Sequence, residues 1–339
     1  MQRVAVIGSG SWGTAASGLA AVHADQVVIW CHSAQVADGV NAVHHNPRHL
    51  VDYQLPANVG ATASMAEACA GVDAAILAVP SAFLRQTCAQ LAPHLRQDVP
   101  VLVLTKGVEP GTGDLMADLV AQELGNADRI AVLSGPNHAE EICKGTVSAA
   151  VVASKNAQVA ATFQALMVNP HFRVYVSDDV VGVEVCGAVK NVIAIACGVA
   201  VAGLGAGDNT LAVLMTRGLA EITRISTALG GRSLTCMGLA GMGDLVATCT
   251  SQHSRNRTFG EAFARGESLA QYEARTHMVV EGAVAALSVH ELTHKLSVES
   301  PLVDGVHGIL YEDMPLAAAV DVLLGRLPRE EFYGLTKNE

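Results

Sequence analysis

The sequence predicts an α/β domain built on a doubly wound parallel sheet, followed by an all-α domain. Three features lead there: short β-rich runs alternate with helix-like segments up to about Ser177, the strand signal then stops, and a glycine-rich turn directly follows the first run. Strand–helix alternation makes a parallel sheet with helices on both faces, because each parallel return needs a long crossover. Candidate strands are 3–7, 27–30, 74–79, 101–104, 130–133, 148–153 and 172–176, with Ala-rich helical stretches such as 14–24, 83–91 and 115–124 between several of them. Helices are expected at 180–202, 211–229, 258–265, 281–294 and 316–324. The boundary falls near 177–184, giving a dinucleotide-binding domain over 1–180 and a helical domain over 181–339.

Composition agrees with this reading. The 339 residues suit about two domains, and a chain that is 50% hydrophobic but only 4% aromatic builds its core from Ala, Val, Leu and Gly. A net charge of −11 argues against a nucleic-acid partner and points to a soluble, cytoplasmic protein. The eight cysteines form no C-x-x-C pair and read as reduced core residues. The apolar run in "MQRVAVIGSG" is too short for a signal peptide and reads as a strand entering a turn.

That turn, "VAVIGSGSWGTA", sets Gly8, Gly10 and Gly13 between a strand and a helix. G-x-G-x-x-G in this context gives a tight turn, close backbone approach to a pyrophosphate and a helix N-terminus for phosphate. A dinucleotide is the favoured ligand, with a flavin, another nucleotide or a purely structural turn as alternatives. NAD-selective sites carry an acid at the end of the second strand. Here that position offers Cys31, His32 and Ser33, with no acid until Asp38. A 2′-phosphate meets no fixed negative charge, so the sequence leans to NADP(H), with NAD(H) tolerated. Loops at "AVPS", "TKG" and "SGPNHAEE" should converge at the carboxyl ends of the strands, where ligands bind in open α/β sheets. Lys106 in "TKG" reads either as a ligand-facing cation or as an ordinary solvated lysine.

The helical half poses a chemical question. In "GVEVCGAVKNVIAIACGVAVAGLGAG", Lys190 is the only charge from Val185 onward. An unpaired ammonium out of water costs several kcal/mol or shifts its pKa. After Lys190 and Asn191 only 192–206 remains apolar, and it carries three glycines, so a buried core helix is expected and no membrane span. Lys190 shares a helical face with Cys186, Gly187 and Ala194, with Gly198 two turns on, which leaves room for a ligand or another backbone. A lysine in an apolar setting has the lowered pKa that a general acid/base needs; the alternative is a snorkelling or salt-bridged structural lysine. In "GLAGMGDLVATCTSQHSRNRTFG", Asp244 and Thr248 lie one helical turn apart, and Asp244 could pair with Lys190. The run Ser254, Arg255, Asn256, Arg257 reads as an anion site or as a solvated basic loop. "HELTH" (290–294) matches a zinc-protease pattern, but only Glu312 offers a spaced third ligand and nothing supports a cleft there. No metal is expected.

Together these stretches resemble the bacterial-type NAD(P)-dependent glycerol-3-phosphate dehydrogenases. The resemblance runs in order through "GSGSWGTA", "NPRHLVDYQLP", "AVPS", "TKG", "SGPNHAEE", "VEVCGAVKNVIAIACG", "MTRGLAEI", "GLAGMGDLVATC", "SRNRTFG" and "VVEGAVAAL", covering nearly the whole chain. It implies a Rossmann-type domain followed by a helical domain, a cytoplasmic homodimer, and interconversion of dihydroxyacetone phosphate and sn-glycerol 3-phosphate for phospholipid synthesis. It implies Lys190 as proton donor/acceptor, Lys106 as a substrate ligand beside it, and Asp244 and Thr248 as the groups that orient the lysine. It assigns substrate contacts to Gly135, Asn137, Asn191, Ser254, Arg255 and Asn256. Cofactor contacts fall on Gly8, Gly10, Ser11, Trp12, Gly13, His32, Lys106, Ala139, Arg255, Val279 and Glu281. The chain departs from relatives in having Asn137 and His138 where many carry Thr and a hydrophobic residue, and in lacking the Arg that some carry near His32. A related two-domain β-hydroxyacid-type dehydrogenase is the alternative reading.

Overall fold

A computed structural model of the chain describes residues 1–325, 330, 331, 333 and 334. Two compact units divide it: Met1–Thr105 with Met116–Val180, and Lys106–Leu115 with the described part of Val181–Glu339. The excursion Lys106–Leu115 thus leaves the sheet unit directly after a strand and belongs to the helical one.

The first unit is an eight-stranded sheet: β1 (Arg3–Ile7), β2 (Gln26–Trp30), β3 (Val59–Thr62), β4 (Ala74–Leu77), β5 (Val101–Val103), β6 (Ile130–Ser134), β7 (Ser148–Ala153) and β8 (Phe172–Ser177). The spatial order is β3-β2-β1-β4-β5-β6-β7-β8. The first six strands run parallel in the doubly wound order, with β1 between β2 and β4, where the winding reverses. Strands covered on both faces need unbroken apolar runs, and Val4–Ile7 and Ala74–Leu77 are wholly buried. The core of one face gathers Val4, Val6, Ile29, Ile76, Leu102 and Phe163.

Two details differ from the expectation. β7 runs antiparallel to β6, since the intervening Ala139–Cys143 helix is too short to carry the chain back across the sheet. β3, "VGAT", gave no strand signal because it is four residues long and broken by Gly60. Its exposed edge is completed by a side chain. Asn41, on the Ala34–Val43 helix, donates to the Ala61 carbonyl and accepts from the Ala61 amide, both at 2.8 Å. An amide that mimics a neighbouring strand in this way also blocks edge-to-edge pairing.

The second unit is helical. Val180–Leu204 is its central helix, flanked by Asp208–Ala228, Asp244–Thr250, Arg255–Ala264, Leu269–Thr276, Glu281–Leu296, Pro301–Tyr311 and Leu316–Leu324. Val180–Leu204 is long and apolar enough to cross a membrane, but 83% of its most apolar window is buried inside the protein, as a core helix requires. Its small residues admit another backbone. A Cβ on Gly198 would lie 2.0 Å from the Arg257 carbonyl oxygen, and one on Gly260 2.3 Å from that of Ile195. The two helices therefore meet backbone to backbone. Elsewhere the buried Glu221 carboxylate accepts from the Leu302 and Val303 amides at 2.9 and 3.3 Å and caps Pro301–Tyr311; burial pushes its pKa up to about 7.

Gly198→Ala forces a methyl against a carbonyl that belongs to a neighbouring helix, and is expected to destabilise by ~1–3 kcal/mol. Gly305→Ala, whose methyl would meet nothing within 4 Å, is expected to be neutral or to stabilise by up to ~1 kcal/mol. Denaturant unfolding of the two variants beside the parent chain checks the contrast.

Candidate active site

In the sheet unit the three glycines of the first turn do different jobs. Gly8 has φ 118°, and a Cβ there would lie 2.6 Å from the Ala78 carbonyl oxygen. A Cβ on Gly13 would lie 2.0 Å from the Gly8 oxygen, whereas one on Gly10 meets nothing within 4 Å. The first and third are needed by the fold itself; the second leaves open space over the backbone, where a pyrophosphate can approach. The Ser11–Ala20 helix that follows has no side-chain cap on its first amides, so those donors and the positive end of the helix dipole are available to an anion. Ser11 and Trp12 open this helix, and Trp12 packs edge-on against Phe172 at 6.5 Å. These residues fit a dinucleotide. Past β2, Cys31 is buried, His32 is exposed with its ring edge-on to Trp30, and Asp38 sits on the next helix.

Asn46 is a residue whose role the spacing did not reveal. It is fully buried, donates to the Ser9 carbonyl (2.7 Å) and the Thr14 hydroxyl (2.8 Å), and accepts from the Arg48 and His49 amides. It ties the glycine turn to the "NPRH" loop with every part of its amide in use. The only local signal was Asn before Pro, a turn-forming pair. At the end of β6, Gly135 is buried with φ 153°, and a Cβ there would lie 2.7 Å from the Ala149 oxygen. Asn137 and Ala139 follow, both buried, Ala139 as the first residue of its short helix.

In the helical unit one carboxylate gathers the chemistry. Asp244 Oδ1 accepts from Lys190 Nζ, and Asp244 Oδ2 accepts from Lys106 Nζ at 2.8 Å. Thr248 Oγ1 donates to the Asp244 carbonyl at 2.6 Å and accepts from Lys190 Nζ at 2.7 Å. Lys190 and Asp244 are 6% and 2% exposed, so water cannot compensate either charge and each depends on the other. Burial is the largest influence on Lys190 and lowers its pKa; Asp244 pulls it back up, Lys106 pushes it down, and the result is about 8. For Asp244, burial raises the pKa, but Lys106 and Lys190 together outweigh it and hold the carboxyl below its ordinary value.

The sequence builds this geometry locally. Gly238, Gly241 and Gly243 form a π-helical turn, Leu239–Gly243, closed by the Gly243 amide on the Gly238 carbonyl at 3.1 Å. A Cβ on Gly241 would lie 2.0 Å from the Cys236 oxygen. The turn delivers Asp244 to the first position of Asp244–Thr250, where the helix dipole favours a carboxylate. Thr248 is one turn along the same face.

The remaining predicted residues divide in two. Asn256 donates to Asn191 Oδ1 at 2.9 Å and accepts from the Gly282 amide at 2.9 Å, so the two amides join three helices. Ser254 is the N-cap of Arg255–Ala264 and accepts from the Arg257 amide at 3.3 Å. Arg257 itself is committed to the Thr250 carbonyl (2.6 Å) and Glu261 (3.2 Å), which removes it from the expected basic cluster. Arg255 is exposed at the first position of the helix, where backbone amides and guanidinium together suit a phosphate. Val279 is half-buried, and Glu281 opens Glu281–Leu296.

A glycine turn fitted to a dinucleotide and a buried lysine poised to titrate near neutral pH are the equipment of a nicotinamide-nucleotide-linked dehydrogenase. Comparison with known proteins narrows the class. Models of the N-terminal and C-terminal parts of NAD-dependent glycerol-3-phosphate dehydrogenase match residues 3–160 and 179–321. The chain is 46% identical to a glycerol-3-phosphate dehydrogenase [NAD(P)+] of Streptomyces griseus over 97% of its own length and 98% of the relative's. It is 40% identical to one from Shouchella clausii over 100% of both chains. A crystal structure of glycerol-3-phosphate dehydrogenase from Coxiella burnetii superposes with a TM-score of 0.91 at 36% identity, covering 96% of this chain and 99% of that one. The chain belongs to the NAD-dependent glycerol-3-phosphate dehydrogenase family.

Asn46→Ala removes the hydrogen bond that fixes the Ser9 carbonyl, together with its bonds to the Thr14 hydroxyl and the Arg48 and His49 amides. Each buried partner left unmade costs about 1–3 kcal/mol, so the variant is expected to raise the KM for the nicotinamide cofactor about ten-fold, with the KM for the triose phosphate unchanged. Initial rates with each substrate varied in turn separate the two effects.

Proposed function

We propose that this chain is an oxidoreductase that interconverts dihydroxyacetone phosphate and sn-glycerol 3-phosphate with NAD(P)H, supplying glycerol 3-phosphate for phospholipid synthesis. The observation that carries the reading is the Lys190–Asp244–Lys106 arrangement, in a chain whose glycine turn fits a dinucleotide. When bound, the nicotinamide supplies a hydride equivalent to C2 of the ketone. Gly8, Gly10, Ser11, Trp12, Gly13, His32, Lys106, Ala139, Arg255, Val279 and Glu281 would hold the cofactor, and the lack of an acid after β2 favours NADP(H). From the family we carry over a cytoplasmic homodimer.

Lys190 is assigned the proton. An ammonium has three donors, and Asp244 and Thr248 take two; the third is assigned to the C2 oxygen. In the reducing direction that oxygen gains negative charge, and Lys190 as ammonium stabilises it and hands over a proton. In the oxidising direction Lys190 as amine accepts the hydroxyl proton. Lys106 adds a second positive charge beside the same carboxylate and is assigned to a substrate oxygen. Arg255, with the amides at the start of its helix and Asn256, is assigned to the phosphate; Gly135, Asn137, Asn191 and Ser254 complete the substrate contacts. Binding energy from the phosphate end, remote from C2, then positions the reacting carbon.

The first experiment is the loss of nicotinamide absorbance with dihydroxyacetone phosphate, run separately with NADPH and NADH. Turnover supports the reading, and the ratio of rates reports the meaning of His32 where an acid would stand. Folded protein that binds NADPH and turns over a hydroxy acid, but not triose phosphate, would overturn it.

Two variants probe the assigned roles. The ammonium of Lys190 is present below about pH 8 and lost above it, so ketone reduction is expected to fall as pH rises through about 8, and alcohol oxidation to rise over the same interval. Lys190→Ala is expected to lower kcat severely in both directions and to erase this step; intact kcat would remove Lys190 from the chemistry. Arg255→Ala is expected to raise the KM for the phosphorylated substrate at least ten-fold, the loss of one charge-assisted bond of ~1.5–3 kcal/mol, with kcat changing much less.

A further inference from the structure

The "HELTH" stretch is not a protease centre, but its histidines do not stand alone. Glu291, which would act as the base in a zinc protease, accepts the Gly111 amide at 3.0 Å and so serves a loop. His290 and His294, on Glu281–Leu296, face Asp304, which projects from Pro301–Tyr311. His290 Nδ1 lies 3.0 Å and His294 Nε2 3.6 Å from the same Asp304 Oδ1, and the three ligand atoms all fall within 4.8 Å of one another. A tetrahedral ion with bonds of ~2.0–2.1 Å sets its ligands about 3.3 Å apart, and the two measured edges straddle that value. His307, 8% exposed, stacks on His290 with ring centres 3.8 Å apart and planes 5° from parallel, which fixes the plane of the ligating ring. Its Nδ1 is buried and makes no hydrogen bond, with Glu312 Oε1 3.5 Å away.

We propose that His290, His294 and Asp304 form a binding site for one divalent transition-metal cation, zinc foremost, separate from the dehydrogenase chemistry. This departs from the expectation of no metal. Two imidazoles one helical turn apart and a carboxylate from a second helix are a donor set suited to zinc, with a fourth position left to water. His294 and the Asp304 side chain are 65% and 43% exposed, so an ion reaches the site from solvent. It takes the place of the direct His290–Asp304 contact, and it clamps Glu281–Leu296 to the first turn of Pro301–Tyr311. Its role is to stabilise that helix pair, since an ion that binds only the folded chain adds to stability by mass action.

The test is calorimetric titration of the full-length, chelator-stripped protein with zinc chloride, with cobalt(II) absorption to report nitrogen and oxygen ligation as against thiolate. One equivalent per chain is expected, with a zinc-dependent rise in melting temperature. His294→Ala and Asp304→Asn should each weaken binding at least about ten-fold, the smallest loss typical even of an outer-sphere partner, and each should abolish the thermal shift. Neither residue belongs to the dehydrogenase machinery, so unchanged zinc-free activity shows that both variants fold. Absence of saturable binding in the parent chain overturns the site, as does binding that neither substitution weakens. If His307→Ala abolishes binding while His294→Ala does not, the ion sits on His290, His307 and Glu312 and the proposed ligand set is wrong.

Discussion

One carboxylate organises the helical unit. Asp244 accepts an ammonium on each oxygen, from Lys190 and from Lys106, with three charges brought together where little water reaches. Removing one partner from a buried ion pair typically costs about 3–5 kcal/mol, because the survivor is left uncompensated. Two lysines on one carboxylate gather positive charge at one point of the helical unit. That field suits a phosphorylated ketone, which carries oxygens at both ends.

The placement of the lysine depends on side chains that are missing. Gly198 and Gly260 let two helices meet at their backbones, and a Cβ on Gly282 would lie 2.7 Å from the Asn191 carbonyl oxygen. Contacts between backbones have little freedom to relax, since no side chain can rotate out of the way. The amides of Asn191 and Asn256 fasten the same region. Lys190 therefore projects from a helix fixed on several sides, and its ammonium has few alternatives to Asp244 and Thr248. Preorganisation of this kind is what proton transfer to a developing alkoxide demands.

The sheet unit uses the same device at smaller scale. Gly8 and Gly13 are crowded by backbone while Gly10 stands open, and Asn46 holds the carbonyl between Gly8 and Gly10. A residue 37 positions along the chain thus shapes a turn whose own sequence is almost all glycine and serine. At the β3 edge of the sheet, Asn41 completes the strand by similar chemistry.

The sequence by itself determined the alternation of strands and helices, the end of the sheet near Ser177, and the glycine turn, because each is a local pattern of period, propensity or backbone freedom. It also marked Lys190 as out of place among apolar neighbours, and Asp244 and Thr248 as a pair one turn apart. It did not reveal β3, whose four residues carry too little signal, or the reversal of β7, which depends on where a short helix leads the chain. Only the tertiary structure decided that Lys106 leaves the sheet unit to share Asp244, that Arg257 is spent on Thr250 and Glu261, and that His290, His294 and Asp304 meet. These are meetings between residues far apart in the chain or on different helices, set by how helices pack, and no local pattern encodes them.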